Sequence, residues 1–168
     1  MKLFTYFTTF FVSCLSFSNK RYIPKANLAV FGVTGKTGKC VLKQASSMNK
    51  GVFSLVRPKN SIRSDSSHTL YYGDVTSIDD VNQVYNGNVI TGTIVCLGGS
   101  TSEVGNTMLT DGTKNIIECI LKSKLASKKI AIVTSIGAGD SINQPPLFFK
   151  ILMNTVLKDA FVDKNNQE

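Results

Sequence analysis

Asn27-Leu28-Ala29-Val30-Phe31 runs directly into Gly32-Val33-Thr34-Gly35-Lys36-Thr37-Gly38, and this stretch decides the fold. An apolar strand that enters three glycines at three-residue spacing, followed by a helical pattern, is the layout of a dinucleotide-phosphate turn. The first glycine permits the tight turn, the second lets backbone N–H groups approach a pyrophosphate, and the third lets helix and strand pack closely. The pyrophosphate then lies on a helix N-terminus, where unpaired N–H groups and the helix dipole favour negative charge. The same residues resemble the end of a mononucleotide phosphate loop, Gly-Lys-Thr. That motif needs a glycine five positions before the Gly-Lys pair, where this chain has Val30; for Gly38-Lys39 the position is Val33, and Cys40 follows in place of Ser or Thr. A kinase or ATPase reading fails on both counts.

Charge at the end of the second strand selects the dinucleotide. An NAD site of this kind places Asp or Glu there for the ribose 2′-hydroxyl, and a 2′-phosphate calls for Arg. Val52-Phe53-Ser54-Leu55-Val56 ends in Arg57-Pro58-Lys59, with no carboxylate before Asp65. A guanidinium pairs bidentately with phosphate, and Lys36 and Lys59 add charge nearby. The cofactor expected is NADP(H).

From residue 26 onward the pattern alternates strand and helix, as in a Rossmann-type doubly wound α/β fold with a parallel sheet in the order 3-2-1-4-5. Strands are expected at 27–32, 52–57, 68–73, 93–97 and 129–135, and helices at 36–47, 77–85, 105–126 and 146–163. Lys129 to Ser135 is nearly all apolar, which predicts a strand covered on both faces. The last helix carries Leu147, Phe148, Ile151, Leu152, Val156 and Leu157 as a stripe expected to pack beside strand five.

Ligands in such sheets bind beyond the strand carboxyl ends. Strand three ends in Gly73-Asp74-Val75, where the carboxylate can accept from an adenine amino group; the alternative for Asp74 is a helix cap. Strand four ends in Leu97-Gly98-Gly99-Ser100, small enough for the cofactor to pass. Strand five ends in Thr134-Ser135-Ile136-Gly137, which places a hydroxyl where a nicotinamide would lie. The cofactor-binding residues expected are therefore Gly32, Thr34, Gly35, Lys36, Thr37, Gly38, Arg57, Asp74, Val75, Leu97, Gly98, Thr134 and Ser135, with Ser135 also the candidate catalytic residue. His68 is the single histidine; it opens the third strand away from that end and is expected to be structural. With no His/Cys cluster, no metal site is expected.

The 168 residues, 42% hydrophobic and 18% charged, are enough for one sizeable core. The net charge of +8 is uneven: residues 1–64 carry eleven Lys or Arg and no Asp or Glu, and residues 26–168 alone carry +4. No basic-aromatic interleaving accompanies it, so nucleic acid is not an expected partner. Residues 1–25 read as a signal or targeting segment: Lys2 precedes an apolar core from Leu3 to Val12, and Ser16 and Ser18 suit cleavage before Asn19. The segment is short for a transmembrane helix, and no stable membrane insertion is expected after cleavage. A lipoprotein start at Val12-Ser13-Cys14 fits poorly because of Phe11. The remaining Cys40, Cys96 and Cys119 are odd in number and read as small core residues of a reducing compartment. A signal-like start on such a domain resembles the two-step import of plastids with secondary membranes, helped by Phe17 and the acid-free Asn19 to Lys25; the secretory pathway is the alternative.

Residues 27–168 resemble the atypical short-chain dehydrogenase/reductases, and within them the branch of NAD(P)H-binding proteins that includes the NmrA-like proteins and the biliverdin reductase B/flavin reductase type. The resemblance rests on the Gly32-Gly35-Gly38 turn, Arg57, Gly73-Asp74-Val75, Asp111-Gly112-Thr113-Lys114-Asn115-Ile116, Thr134-Ser135-Ile136-Gly137 and the tail from Lys158 to Glu168. It implies NADP(H) bound by Gly32 to Gly38, Arg57, Asp74 and Val75. It also implies an NADPH-dependent reductase of a small planar acceptor such as a flavin, quinone or tetrapyrrole; the alternative is a non-catalytic NADP(H)-binding regulator or assembly factor. Two departures stand out. The larger family pairs a tyrosine acid with a lysine, Tyr-x-x-x-Lys, after the strand-five serine, whereas every tyrosine here lies upstream of Ser135 and Lys150 and Lys158 have no tyrosine partner. The resembled proteins also continue past the point matching Glu168 into a sixth strand and a substrate-covering segment. Without that strand the edge of strand five stays open, which predicts self-association.

Overall fold

The computed structural model describes residues 26–60, 62, 67–98, 107–155 and 157–168. The expected targeting segment lies outside the described residues, as do Gly99 and Ser100. Five parallel strands, β1 (Asn27–Phe31), β2 (Gly51–Val56), β3 (His68–Tyr72), β4 (Gly92–Val95) and β5 (Ile130–Ile132), form one sheet in the order β3-β2-β1-β4-β5. The fold is the doubly wound α/β arrangement expected from the sequence.

β1 is the centre of the sheet because its apolar residues are used on both faces. Ala29 and Phe31 point into one cluster with Leu55, Tyr85, Val95 and Ile116, while Val30 joins Val33, Ala45, Val52 and Val56 in another. Successive strand residues face opposite sides, so a central strand must be apolar throughout. Helices α2 (Ile78–Tyr85) and α3 (Met108–Lys122) supply the first cluster and α1 (Lys36–Ser47) the second.

Local signals set the helix ends. α1 closes in a Schellman motif, with Asn49 at φ 53°, Asn49 N donating to Ser46 O and Lys50 N to Ala45 O. Ser77 caps α2, its hydroxyl accepting from Asp80 N at 3.3 Å. α3 stops at Lys122, four residues short of the expected 126, because Ser123 Oγ accepts from Leu125 N and Ala126 N and the Lys128 ammonium takes the carbonyls of Ile120, Leu121 and Ser123. These side chains satisfy the helix end and turn the chain.

The carboxyl-terminal third departs most from expectation. The single helix expected at 146–163 is two, α4 (Leu147–Asn154) and α5 (Lys158–Gln167). Thr155 Oγ1 donates back to Ile151 O at 2.8 Å, a bond that competes with helix propagation at the break. Of the expected stripe, Leu147, Phe148 and Ile151 are not covered beside β5 but are 76%, 80% and 57% exposed, while the Leu152 side chain and Val156 lie outside what the structure describes. Nor, among the described residues, is β5 covered on both faces; it pairs there only with β4, spans three residues, and leaves Ile130 and Ala131 exposed. α5 instead packs on α3. The cysteines also divide: Cys119 is buried and Cys96 half-buried, but Cys40 lies exposed on α1 rather than in the core. Among the described residues no helix is long and apolar enough to cross a membrane.

Candidate functional site

β1 ends at Phe31, and the chain turns through Gly32 at φ 84° before α1 begins. A Cβ at Gly32 would collide with the Cys96 carbonyl, and one at Gly38 with Gly32 O and Val33 Cα, so both glycines are required by the approach of backbone to backbone. Gly35 is different. A Cβ there meets only Gly32 O, at 3.4 Å, so the protein has room for a side chain that it does not carry. Gly35 is the α1 N-cap, with no side-chain cap and no acidic residue in the first turn. The uncapped N–H groups and the open space above Gly35 fit a pyrophosphate.

Around this turn the strand ends form a continuous cleft. A cavity of about 740 Å³ is lined by Gly32, Thr34, Gly35, Lys36, Thr37, Arg57, Leu97, Gly98, Thr134 and Ser135. A smaller recess of about 60 Å³ shares Gly32, Thr34, Arg57, Leu97 and Gly98 with it and adds Asp74 and Val75. Twelve of the thirteen residues singled out in the sequence thus line one cleft. Gly38 does not; it is buried beneath the turn. Lys59 lines neither cavity.

Asp74 is not the helix cap, which is Ser77, but it does stand in the recess where the adenine contact is expected. Its Oδ1 accepts from Thr76 N at 3.0 Å and Thr76 Oγ1 at 2.8 Å, a local turn leading into α2, while the residue also lines the recess. The Thr76 N–H does most to hold its carboxyl below the usual carboxylate range; burial opposes this, and the Thr76 hydroxyl and the Arg57 charge assist. The Asp111-Gly112-Thr113 segment serves the cleft from behind. A Cβ at Gly112 would meet Val75 Cγ2 at 2.7 Å, and Asn115 Nδ2 donates to Val75 O at 3.0 Å. His68 is structural: it is buried, with Nε2 3.1 Å from Ser54 Oγ.

The reading of the sequence missed Lys164. Its ammonium donates to Val133 O at 3.1 Å and Leu97 O at 3.5 Å, bracing the ends of β5 and β4, and it lines the cleft beside Cys96 and Ser135. Burial pulls its pKa below the lysine range against the opposing charges of Asp163, Glu168 and Cys96. Next to it, Asp163 is 0% exposed. Asp163 Oδ2 accepts from Leu109 N at 2.7 Å, and Oδ1 accepts from Thr110 N at 2.9 Å and Thr110 Oγ1 at 2.6 Å. α3 has no cap from its own Thr107, so this carboxylate, brought from α5, satisfies its first turn. Gln167 Nε2 donates to Thr113 Oγ1 at 2.9 Å and completes the seat. The signal present in the sequence is a lysine in the helix after strand five with no tyrosine four residues before it.

The family model described as NAD(P)H-binding matches residues 32–168. The chain belongs to the NAD(P)H-binding family. Solved structures of similar fold include the oxidoreductase ylbE of Lactococcus lactis, 16% identical over 84% of this chain and 60% of that one, with a TM-score of 0.64. Vestitone reductase of alfalfa is 17% identical over 85% of this chain and 50% of its own, with a TM-score of 0.60. Uronate dehydrogenase of Agrobacterium tumefaciens, solved with NAD, is 16% identical over 68% and 43%, with a TM-score of 0.55. The chain spans about half the length of these structures. At such identities they show the fold. This NAD(P)H-binding chain shares it, and Ala160 stands four residues before Lys164, the spacing at which a Tyr-x-x-x-Lys pair carries its tyrosine.

Proposed function

We propose that the protein is an NADPH-dependent reductase of a small planar acceptor. The observation that carries the choice of cofactor is Arg57. It lines the same cleft as the glycine turn at the end of β2, no carboxylate follows it in the sequence before Asp65, and Lys36 lines that cleft too. This is the arrangement a ribose 2′-phosphate needs. Gly32, Thr34, Gly35 and Thr37 bind the pyrophosphate, Asp74 and Val75 the adenine, and Thr134, Ser135 and Lys164 the nicotinamide half. The nicotinamide, when bound, supplies hydride chemistry. With Ala160 in the tyrosine position, Ser135 orients the acceptor and water delivers the proton, while Lys164 holds the ends of β4 and β5 in place.

Arg57→Asp is expected to reverse the preference from NADP(H) to NAD(H). A bidentate phosphate contact is worth about 1.5–3 kcal/mol, so the ratio of affinities measured by titration calorimetry shifts more than about tenfold. Equal affinities in the parent protein would refute the choice of NADP(H). Oxidation of NADPH, followed by absorbance with flavin, quinone and tetrapyrrole acceptors, tests the reductase reading. Tight NADPH binding without turnover on any of them supports the non-catalytic regulator, a reading favoured by Ala160.

A further inference from the structure

Beyond β5, α4 and α5 and the turn between them and the sheet enclose a second cavity of about 430 Å³, within the size range of small-ligand pockets. Its floor is apolar. Met153 is buried and sits against Gly137, where a Cβ would meet Met153 Cε at 2.5 Å. Phe161 is held edge-on to Phe149, with ring centroids 6.1 Å apart. Its polar lining is two lysines, Lys150 and Lys158, and four asparagines, Asn143, Asn154, Asn165 and Asn166. Lys150 and Lys158 both line it, Lys150 half-buried and Lys158 exposed at its rim, and neither forms an ion pair with a described residue. No lining residue is acidic. Asn165 commits its carboxamide oxygen to Gly139 N at 3.0 Å, so it offers the cavity an NH2 donor. Two ammonium groups and an amide donor over an aromatic and thioether floor leave negative charge to be supplied by a ligand.

The cavity shares its walls with the nicotinamide end of the cleft. Ser135 lines the cleft and Gly137, two residues on, lines the cavity; on α5, Lys164 lines the cleft while Phe161 and Asn165 line the cavity. Residues three apart on a helix are surface neighbours, so α5 forms the partition between the two.

We propose that this cavity is the acceptor site and selects a planar apolar molecule bearing a carboxylate. Lys150 and Lys158 bind the carboxylate, and Met153 and Phe161 carry the planar body. The assignment to an acceptor rests on the reductase reading; the carboxylate selectivity does not. It favours acidic acceptors over neutral quinones.

The test is titration calorimetry of the full chain with 2-naphthoate and its neutral amide, with and without saturating NADPH. Naphthoate is expected to bind at least about tenfold more tightly than the amide, because only it pairs with the two ammonium groups. Lys150→Gln and Lys158→Gln should each weaken naphthoate at least about fivefold and leave the amide and NADPH unchanged, while Lys150→Arg retains binding. Phe161→Leu should weaken naphthoate and amide together. Equal affinity for acid and amide, no naphthoate binding, or a double lysine variant that binds naphthoate like the parent each overturns the site. Lysine-dependent naphthoate binding in a protein that does not bind NADPH keeps the carboxylate site and overturns its assignment to an acceptor. Failure of the reductase reading is thus separable from failure of the cavity.

Discussion

Gly35→Val is expected to weaken dinucleotide binding severely while leaving the fold intact. The three glycines of the turn separate by what a side chain would meet. At Gly32 and Gly38 it would strike backbone of the protein itself, so substitutions there damage folding and binding together. At Gly35 the nearest atom is Gly32 O at 3.4 Å, an ordinary contact, and φ is −74°, which any residue adopts. The branched side chain then occupies only the space above the α1 N-terminus, where phosphate oxygens must approach the backbone N–H groups. Losing those contacts should weaken NADPH by roughly 100-fold, equivalent to about 2.7 kcal/mol. The melting temperature without ligand should stay within about 3 °C of the parent, since a surface change of this kind costs about 0.5 kcal/mol or less. Calorimetric titration and a thermal melt check both halves. A variant that binds NADPH like the parent would show that the turn is not the phosphate site.

That separation explains why so much of the cleft was legible in the sequence. The strand, glycine turn and helix of residues 27–47 are contiguous, and their pattern is local. Arg57, Asp74, Leu97 and Ser135 follow from one topological fact, that parallel strands in the order 3-2-1-4-5 bring their carboxyl ends to one side. What was not legible acts across the chain. Lys164 reaches Leu97 O, 67 residues away, and Asp163 reaches Thr110 N, 53 residues away. Neither link leaves a periodic trace. The α4 stripe shows the opposite failure: Leu147, Phe148 and Ile151 have the right helical spacing, but spacing identifies an apolar face without saying what covers it. Cys40 was misplaced for a similar reason, since its position in a helix does not fix the face it occupies.

The largest expected effect on stability belongs to a residue with no direct part in binding. Asp163→Ala removes a fully buried carboxylate that satisfies the backbone N–H groups of Leu109 and Thr110 and the Thr110 hydroxyl. Alanine supplies no acceptor, and α3 has no side-chain cap of its own to take over, so two N–H groups at the helix start lose their partner, that of Leu109 in a buried site and that of Thr110 in a half-buried one. Loss of a charged, buried acceptor of this kind costs about 3 kcal/mol, which in a domain of this size lowers the melting temperature by about 10 °C. Asp163→Asn keeps one acceptor oxygen and loses the charge at the helix N-terminus, so its cost should be smaller, about 1–2 kcal/mol. The neighbouring residue separates stability from function. Lys164 carries a burial-depressed pKa, meaning that its charge is held in the cleft at a cost to the fold. Lys164→Met removes that cost together with the two carbonyl bonds, so it should change the melting temperature much less than Asp163→Ala while weakening NADPH, whereas Asp163→Ala should lower both, because α5 seated on α3 is what places the ammonium between Val133 O and Leu97 O. Thermal melts and NADPH titrations of the two variants decide the matter: an Asp163→Ala protein with the parent's melting temperature would show that α5 does not hold the amino end of α3.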